Sequence, residues 1–321
     1  MKENEYEKRL HYPWTGRSLA GLWGEKLFYR FCNLYGRILT YGAIAASVPF
    51  FLSFRKRVRN ASFDFFSRVY GTSNRLRLLW HTSCQFWCWG ACWADRSFIF
   101  GGGIKRYRFN REGTRYFEEA LRSKKGLFVI TAHVGNYELG AWMLRRDSGL
   151  VVNIALIDDE ERRVRRFLDQ MQGEYRPRII RLSRSSFSSI AVLKALREGE
   201  IVGIQADRVV DKNAIAVDFF GFKALFPKGP LTLSLATGAP ILITFTLKRG
   251  WNRYVIVIDK PIFPPENSSD REPALRDLAE KVALHIEEIV RRHPHQWFNF
   301  YPYWIDSPGF QQPNPFNHGQ L

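Results

Sequence analysis

The chain has 321 residues, enough to bury a core that holds without disulfides or structural metals. Hydrophobic residues make up 45% and aromatic residues 15%, which excludes disorder as the main state. Four cysteines are too few and too clustered for a secreted disulfide scaffold. The net charge of +17 lies mostly in residues 1–125, which indicates an anionic partner: membrane lipid, nucleic acid or an acidic protein.

An apolar run extends from Ile38 to Phe54 without a charged residue. Its 17 residues are the lower limit for a spanning helix, and Pro49 weakens it. The basic stretch 55–59 follows directly, as is typical of the cytoplasmic side of a membrane segment, and such stretches bind anionic headgroups. The run therefore favours a membrane segment, spanning or interfacial, over a buried core helix with a basic end. It begins too late to be a cleavable signal peptide.

Residues 61–100 have the composition of helices. Cys84, Cys88 and Cys92 recur every four residues, so they share one helix face. This spacing differs from that of zinc ligands, and it predicts a strongly apolar helix rather than a metal site. The functional alternative is a helix that lies on a membrane or lines an acyl-chain channel.

After Gly101–Gly103 the chain has a basic stretch and a helix near 112–123, and from residue 127 strands alternate with helices. The predicted strands are 127–131, 150–157, 177–182, 200–206, 215–220, 240–247 and 253–259. The predicted helices are 137–146, 159–172, 186–197, 229–237 and 272–292.

This order predicts an α/β fold with a largely parallel mixed sheet covered by helices, preceded by an N-terminal membrane-associating helical region. The chain then divides into four parts by composition. These are a membrane-anchoring segment (1–60), a basic and aromatic helical region (61–125), an α/β core (126–305) and a loose tail (306–321).

His133 and Glu138 follow the strand 127–131 at its carboxyl end, where sites form in open α/β sheets. The two cannot meet on one continuous helix, but they can if Gly135 bends a turn and Asn136 caps a helix that begins there. A carboxylate beside an imidazole fixes its tautomer and raises its basicity, which would make His133 a general base. The alternative is a partly buried histidine that caps a turn.

No Gly-x-Ser-x-Gly elbow is present, and none of the four cysteines falls in the α/β part. A covalent acyl-enzyme is therefore not indicated. Direct attack by a bound alcohol, activated by His133, is the simpler chemistry.

The H-x4-E pair after a buried strand resembles the signature of the lysophospholipid acyltransferase superfamily. The closest subgroup is the late lipid A acyltransferases of the lauroyl/myristoyl (HtrB/LpxL-like) type. Four further blocks appear in the family's order, and the resemblance covers roughly residues 20–305. They are the apolar and basic segment 38–59, ALREGEIVGIQADR (195–208), VDFFGFKALFPKGPLTLSLATGAPILITF (217–245) and HPHQWFNFYPYW (293–304).

The resemblance implies His133 as the general base and Glu138 as its orienting carboxylate. It also implies a set of substrate-binding candidates: Asn136, Arg166, Arg178, Asp207, Arg208, Lys228 and Gly229. Arg166 and Arg178 are chosen from the arginines at 163, 165, 166, 176 and 178. The alternative for Asp207 and Arg208 is an ion pair that ends a strand without a role in binding. The alternative for Lys228 and for most of the arginines is surface charge exposed to solvent.

The resemblance further implies O-acyl transfer from acyl carrier protein thioester to a hydroxyl of a lipid A-type or other bacterial lipid, in lipopolysaccharide biosynthesis. The acidic carrier would dock on the basic region 55–125, with the acyl tail against residues 76–100. Amides of the turn 133–137, or an arginine, would stabilise the oxyanion. No metal or other cofactor is implied, and the enzyme would lie at the inner (cytoplasmic) membrane with its catalytic domain facing the cytoplasm.

Two departures from the subgroup leave the acceptor open, because Ala132 precedes the histidine and Arg208 follows Asp207. An ornithine lipid, an aryl polyene or a mannoside acceptor would share the same blocks. The rival interpretations are a non-catalytic basic protein that binds membrane surfaces or nucleic acid, and a lipid hydrolase. The apolar segment beside the basic cluster, and the lack of a nucleic-acid motif, favour a bacterial membrane and no nucleic acid as partner.

Overall fold

A computed structural model describes residues 21–156, 170–182, 189–209, 213–266 and 270–309. Its helices are α1 (Gly21–Phe54), α2 (Lys56–Tyr70), α3 (Arg75–Phe100), α4 (Thr114–Leu121), α5 (Tyr137–Ser148), α6 (Ser189–Arg197), α7 (Lys228–Thr237) and α8 (Arg271–Arg292). Its strands are β1 (Arg108–Glu112), β2 (Leu127–Thr131), β3 (Val152–Leu156), β4 (Arg178–Arg181), β5 (Ile201–Gln205), β6 (Ala214–Phe219), β7 (Phe222–Pro227), β8 (Ile241–Lys248) and β9 (Arg253–Ile258).

Seven strands form one sheet in the order β1-β9-β8-β2-β5-β3-β4. Only β8 and β9 pair antiparallel among these neighbours, and the other five pairs are parallel. The central strand β2 is a short apolar run whose first four residues are buried, as expected where helices cover both faces. The predicted α/β class with a largely parallel mixed sheet is confirmed.

The predicted strands and helices of the core agree with the structure to within a few residues, except that most of the helix predicted at 159–172 lies outside the described residues. Two strands were missed. β1 lies at the sheet edge and is mostly exposed, so it carries no apolar alternation. β7 forms a separate hairpin with β6.

The β6–β7 hairpin turns at Phe220 and Gly221, which have positive φ angles of 58° and 80°. This backbone matches the twist of paired strands but is unusual for phenylalanine. The Phe220 amide donates to the carboxylate of Glu287 on α8, which holds the turn in place. The Phe-Phe-Gly sequence therefore marks a tight hairpin that is tied to a core helix.

The helix α1 is broken at Gly36, where φ is 69° and ψ is −177°. One face packs on α3, with Ile44 against Gly90 and Tyr41 against Trp87. The stretch Trp23–Phe54 is long and apolar enough to cross a membrane, and only 22% of its most apolar window is buried inside the protein. Its other face leaves large apolar side chains exposed. These include Trp23, Leu27, Leu34, Ile38, Leu39, Phe50 and Phe54.

Candidate active site

His133 lies in the turn that joins β2 to α5, at the carboxyl end of the central strand. The turn depends on Gly135, whose φ is 63°. A Cβ at this position would lie 2.2 Å from the carbonyl oxygen of Thr246, so no larger residue fits. The turn is therefore pressed against β8, and the histidine is held close to the sheet.

The carboxylate of Asp207 holds His133 by two contacts. Its Oδ1 lies 2.8 Å from the imidazole Nδ1, and its Oδ2 accepts from the His133 backbone N–H at 2.9 Å. Both residues are buried, with exposures of 8% and 1%. The pair forms because Thr131 is in register with Gln205 on the neighbouring parallel strand, so the residues just past both strands are adjacent.

The surroundings set the protonation of this pair. Burial and the charge of Arg208 lower the pKa of His133 below its ordinary value, although Asp207 acts in the opposite direction. Burial alone would raise the pKa of the Asp207 carboxyl, but His133, Arg208 and a hydrogen bond from Trp297 outweigh it and lower the pKa to about 2. A neutral imidazole thus donates from Nδ1 to an ionised carboxylate, which makes Nε2 the basic nitrogen.

Glu138 is not the carboxylate that orients the histidine, and this corrects the expectation from sequence. Both of its oxygens accept from Nη1 of Arg96 on α3, at 2.7 and 2.8 Å. A second carboxylate, Glu25 on α1, lies 3.6 Å from the same guanidinium. Glu138 begins α5 as predicted, but its side chain ties this helix to α3 and α1.

Four backbone amides of the turn donate to groups within the protein. The N–H groups of residues 133, 134, 135 and 136 donate to Asp207, Ala132, Gln296 and Thr246 respectively. Asn136 occupies the N-cap position, but its side chain donates to the carbonyl of Cys92 at 2.9 Å instead of capping α5. These four amides are therefore engaged within the protein, and an oxyanion site on the turn 133–137 or on an arginine stays a prediction.

Arg208 lies beside the His133–Asp207 pair. Its guanidinium contacts the Phe298 carbonyl at 3.4 Å and lies over the ring of Tyr301 at 5.2 Å. The Tyr301 hydroxyl donates to the Asp207 carbonyl at 2.8 Å. The predicted candidates Asp207 and Arg208 are thus brought to the histidine.

The other predicted candidates lie elsewhere. Arg178 begins the edge strand β4 and pairs with Glu200 at 3.1 Å, at the amino ends of the parallel strands and so opposite His133. Lys228 begins α7 and pairs with Glu272 at 2.9 Å, and Gly229 is buried in the same helix. Arg166 lies outside the described residues, as do Arg163 and Arg165.

The cysteine face of α3 is an apolar surface. Burial raises the pKa of Cys88 to about 12 and raises that of Cys92 as well. Both thiols are therefore protonated at neutral pH.

A second buried carboxylate, Asp95 on α3, was not anticipated from sequence. It accepts from Lys248 Nζ at 2.5 Å and from the hydroxyls of Tyr41, Tyr107 and Tyr254 at 2.5, 2.7 and 2.6 Å. Tyr41 belongs to α1 and Lys248 to β8, so this cluster joins the N-terminal helix to the sheet.

Residues 104–305 match the bacterial lipid A biosynthesis acyltransferase family. This match covers more than half of the chain, and the chain belongs to that family. The superfamily indicated by the His133/Glu138 motif is thereby confirmed.

The curated relatives that the chain matches are also named as acyltransferases. The phosphatidylinositol mannoside acyltransferase of Mycobacterium tuberculosis is 26% identical over 197 residues, which are 60% of this chain and 59% of that protein. The protein of the same name from Mycolicibacterium smegmatis is 26% identical over 195 residues, 58% of this chain and 59% of its own. The chain thus spans about 59% of the length of these relatives.

A solved structure is also similar, that of the 1-acyl-sn-glycerophosphate acyltransferase of Thermotoga maritima. It aligns with a TM-score of 0.35 and 13% identity, covering 83% of this chain and 95% of that one.

Proposed function

We propose that this protein is a membrane-associated O-acyltransferase that moves a fatty acyl chain from a carrier thioester to a hydroxyl of a glycolipid. The observation that carries the proposal is the buried His133–Asp207 pair at the carboxyl end of β2, with Nδ1 and Oδ1 2.8 Å apart. A neutral histidine that is oriented through Nδ1 is built to take a proton at Nε2. Membership of an acyltransferase family agrees with this chemistry.

In this mechanism the acceptor hydroxyl gives its proton to Nε2 of His133 as its oxygen attacks the thioester carbonyl carbon. The new C–O bond forms, and negative charge develops on the carbonyl oxygen, where Arg208 stabilises it. The tetrahedral intermediate then collapses, the C–S bond breaks, and the leaving thiolate takes the proton back from the imidazolium. Asp207 stays ionised throughout and stabilises the charged ring.

We assign the acyl donor to the acidic acyl carrier protein. Residues 1–125 hold 23 basic and 9 acidic side chains, whereas the remaining residues are nearly balanced, at 25 and 22. Such one-sided charge speeds encounter with an acidic partner and makes it sensitive to salt. Carrier and membrane headgroups would share this basic region of the sequence.

The membrane contact falls on the exposed face of α1, and Leu76 and Trp80 of α3 are exposed as well. The exposed basic residues Arg55, Lys56 and Arg57 follow α1 directly. Because Tyr41 and Cys32 on the other face are buried in the protein, an interfacial position suits α1 better than an isolated spanning one. The basic stretch would then place the catalytic side at the inner leaflet.

We assign the acceptor to the glycolipids. The family is described by lipid A biosynthesis, and the mycobacterial relatives are named for phosphatidylinositol mannoside. Both names refer to lipids with sugar headgroups. A sugar hydroxyl is the nucleophile that the general-base mechanism requires.

The test is transfer from a labelled acyl carrier protein pool to total bacterial lipid extract, with wild type and His133→Ala compared. We expect a labelled lipid ester from wild type and a loss of about 10³-fold or more in the variant. His285→Ala is the matched control, because His285 also pairs with an aspartate, Asp259 at 2.6 Å, but on α8 and the end of β9. Free fatty acid as the main product would indicate a hydrolase, and equal labelling by wild type and His133→Ala would refute the mechanism.

A further inference from the structure

The turn between β8 and β9, residues 249–252, carries an exposed tryptophan. Trp251 is 48% exposed, although the backbone around it is well held. The Arg249 N–H donates to the Arg253 carbonyl at 2.8 Å, which closes the turn, and the Asn252 side chain donates to the Arg106 carbonyl at 3.0 Å. The exposed indole ring is therefore fixed on an ordered turn.

The covered side of Trp251 is held by α1 and by the Asp95 cluster. Arg37 lies over the indole ring at 4.6 Å, and the ring of Tyr41 packs edge-on against it with centroids 4.8 Å apart. Lys248, which pairs with Asp95, donates from Nζ to the Trp251 carbonyl at 3.2 Å. The β8–β9 turn is thus joined directly to α1, the helix with the large exposed apolar face.

The β8–β9 turn lies at the same end of the sheet as His133. Strand β8 runs parallel to β2, and Gly135, in the turn that carries His133, is pressed against Thr246 of β8. The β8–β9 turn begins three residues beyond Thr246, so it extends past the His133 turn at the carboxyl end of the parallel strands. A surface that binds through Trp251 therefore comes close to the candidate active site.

Basic side chains accompany the exposed ring. The segments 105–108 and 249–253 lie side by side, because the Arg108 N–H donates to the Asn252 carbonyl at 2.8 Å, and neither segment contains an acidic residue. Tryptophan rings are favoured at the membrane–water interface, and basic side chains attract anionic headgroups. The exposed basic residues of the two segments are Lys105, Arg106, Arg108, Arg249 and Arg253.

We propose that the β8–β9 turn is a second membrane contact, which places Trp251 and these five basic residues on an anionic bilayer surface and turns the His133 end of the sheet towards the lipid. One helix at the interface leaves the core free to rotate about the helix axis, whereas two joined contacts fix its orientation. An acidic carrier protein would match the charges alone, whereas a bilayer interface matches both the charges and the indole ring. This inference rests on the proposed membrane association through α1.

The test is cosedimentation of the full chain with vesicles of phosphatidylglycerol and phosphatidylcholine in equal parts, and with vesicles of phosphatidylcholine alone. We expect Trp251→Ala to lower the affinity for the mixed vesicles about tenfold, because the indole ring is lost from the interface. Arg249→Gln/Arg253→Gln keeps the ring, and it should lower the same affinity about fivefold for each charge removed, with no effect on phosphatidylcholine alone. Thermal melting checks that both variants are folded.

Phe263→Ala is the matched control. Phe263 is also 48% exposed, but it follows Ile262, which bridges to Ile241 at the start of β8 and so lies at the opposite end of the sheet. This variant should bind both vesicle types as wild type does. Equal binding of mixed vesicles by wild type and by both variants of the β8–β9 turn would overturn the inference, as would a loss of affinity for acyl carrier protein with vesicle binding unchanged.

Ile38→Gln separates the two contacts, because Ile38 is exposed on α1. It should lower vesicle binding as well. If it does so and the variants of the β8–β9 turn do not, the contact through α1 stands and the second contact fails. If wild type binds neither vesicle type, the proposed membrane association fails, and this inference fails with it.

Discussion

Two carboxylates, Asp207 and Asp95, are equally buried in this protein but have different partners. Asp207 is paired with an imidazole, whose proton can leave near neutral pH. Asp95 is surrounded by the Lys248 ammonium and three tyrosine hydroxyls, and burial raises the pKa of Tyr107 and of Tyr254 far from neutrality. The first cluster therefore suits proton transfer, whereas the second holds a fixed set of charges and serves as scaffold.

The two clusters are joined through Gln296. Its side chain accepts from the Lys248 N–H at 2.8 Å and donates to the Lys248 carbonyl at 2.9 Å. Its own carbonyl accepts from the N–H of Gly135, in the turn that carries His133, at 2.8 Å. The scaffold thus holds the turn that carries His133, and variants in each cluster should separate chemistry from stability.

The largest effect is expected for Asp207→Asn. The amide no longer stabilises the imidazolium and no longer fixes the ring in the tautomer with a basic Nε2, so kcat should fall about 10³- to 10⁴-fold. Steady-state acyl transfer measures this, with folding checked by circular dichroism. A fall of less than tenfold in a folded variant would remove Asp207 from the mechanism.

Asp95→Ala should act on stability instead. It leaves Lys248 buried without its counter-charge, which costs about 3–5 kcal/mol in free energy of unfolding. Urea denaturation measures the loss, and kcat per folded molecule should stay within about tenfold of wild type. The double variant Asp95→Leu/Lys248→Met removes both charges and should recover only part of the stability, because the hydroxyls of Tyr41, Tyr107 and Tyr254 still lose their acceptor. A double variant less stable than Asp95→Ala would argue against a charge effect.

Glu138→Gln should have a smaller effect on catalysis than Asp207→Asn. It weakens the charge-assisted contacts to Arg96 and loosens the start of α5, so we expect kcat to fall about tenfold. The same acyl-transfer assay measures it. A loss as large as that of Asp207→Asn would mean that Glu138 acts on the reacting groups directly.

The smallest effect concerns pH. In the proposed mechanism His133 acts as a base only when neutral, and its pKa is lowered from 6.5, so kcat/KM should persist as pH falls through 6.5. Activity should then be lost as pH falls through the lower pKa of the folded enzyme. A pH–rate profile with its acid midpoint at or above 6.5 would contradict the lowered pKa of His133.

The strand β2, the turn after it and His133 could be predicted from the sequence, because an apolar run followed by His, Gly and Asn is typical of a buried strand that ends in a turn. It also selected Asp207 and Arg208. It paired His133 with Glu138, since these are near in sequence, whereas the Asp207 contact depends on the register of β2 with β5. The sequence around His133 does not show which strand lies beside β2 or in which register.

The residues missed entirely are buried polar groups in apolar surroundings. Asp95 and Arg96 occur within an aromatic helix, and their partners come from α1, β8 and α5. Asn299 is a buried amide in an aromatic stretch, and its carboxamide has no hydrogen-bond partner among the described residues. These features arise from tertiary packing.

The most direct test of the central claim is the tautomer of His133, read from ¹⁵N shifts of the protein labelled at histidine, with the signal assigned by its loss in His133→Gln. We predict a neutral ring at pH 7 with the proton on Nδ1, changed in Asp207→Asn and kept in Glu138→Gln. A tautomer that changes in Glu138→Gln and persists in Asp207→Asn would contradict the account.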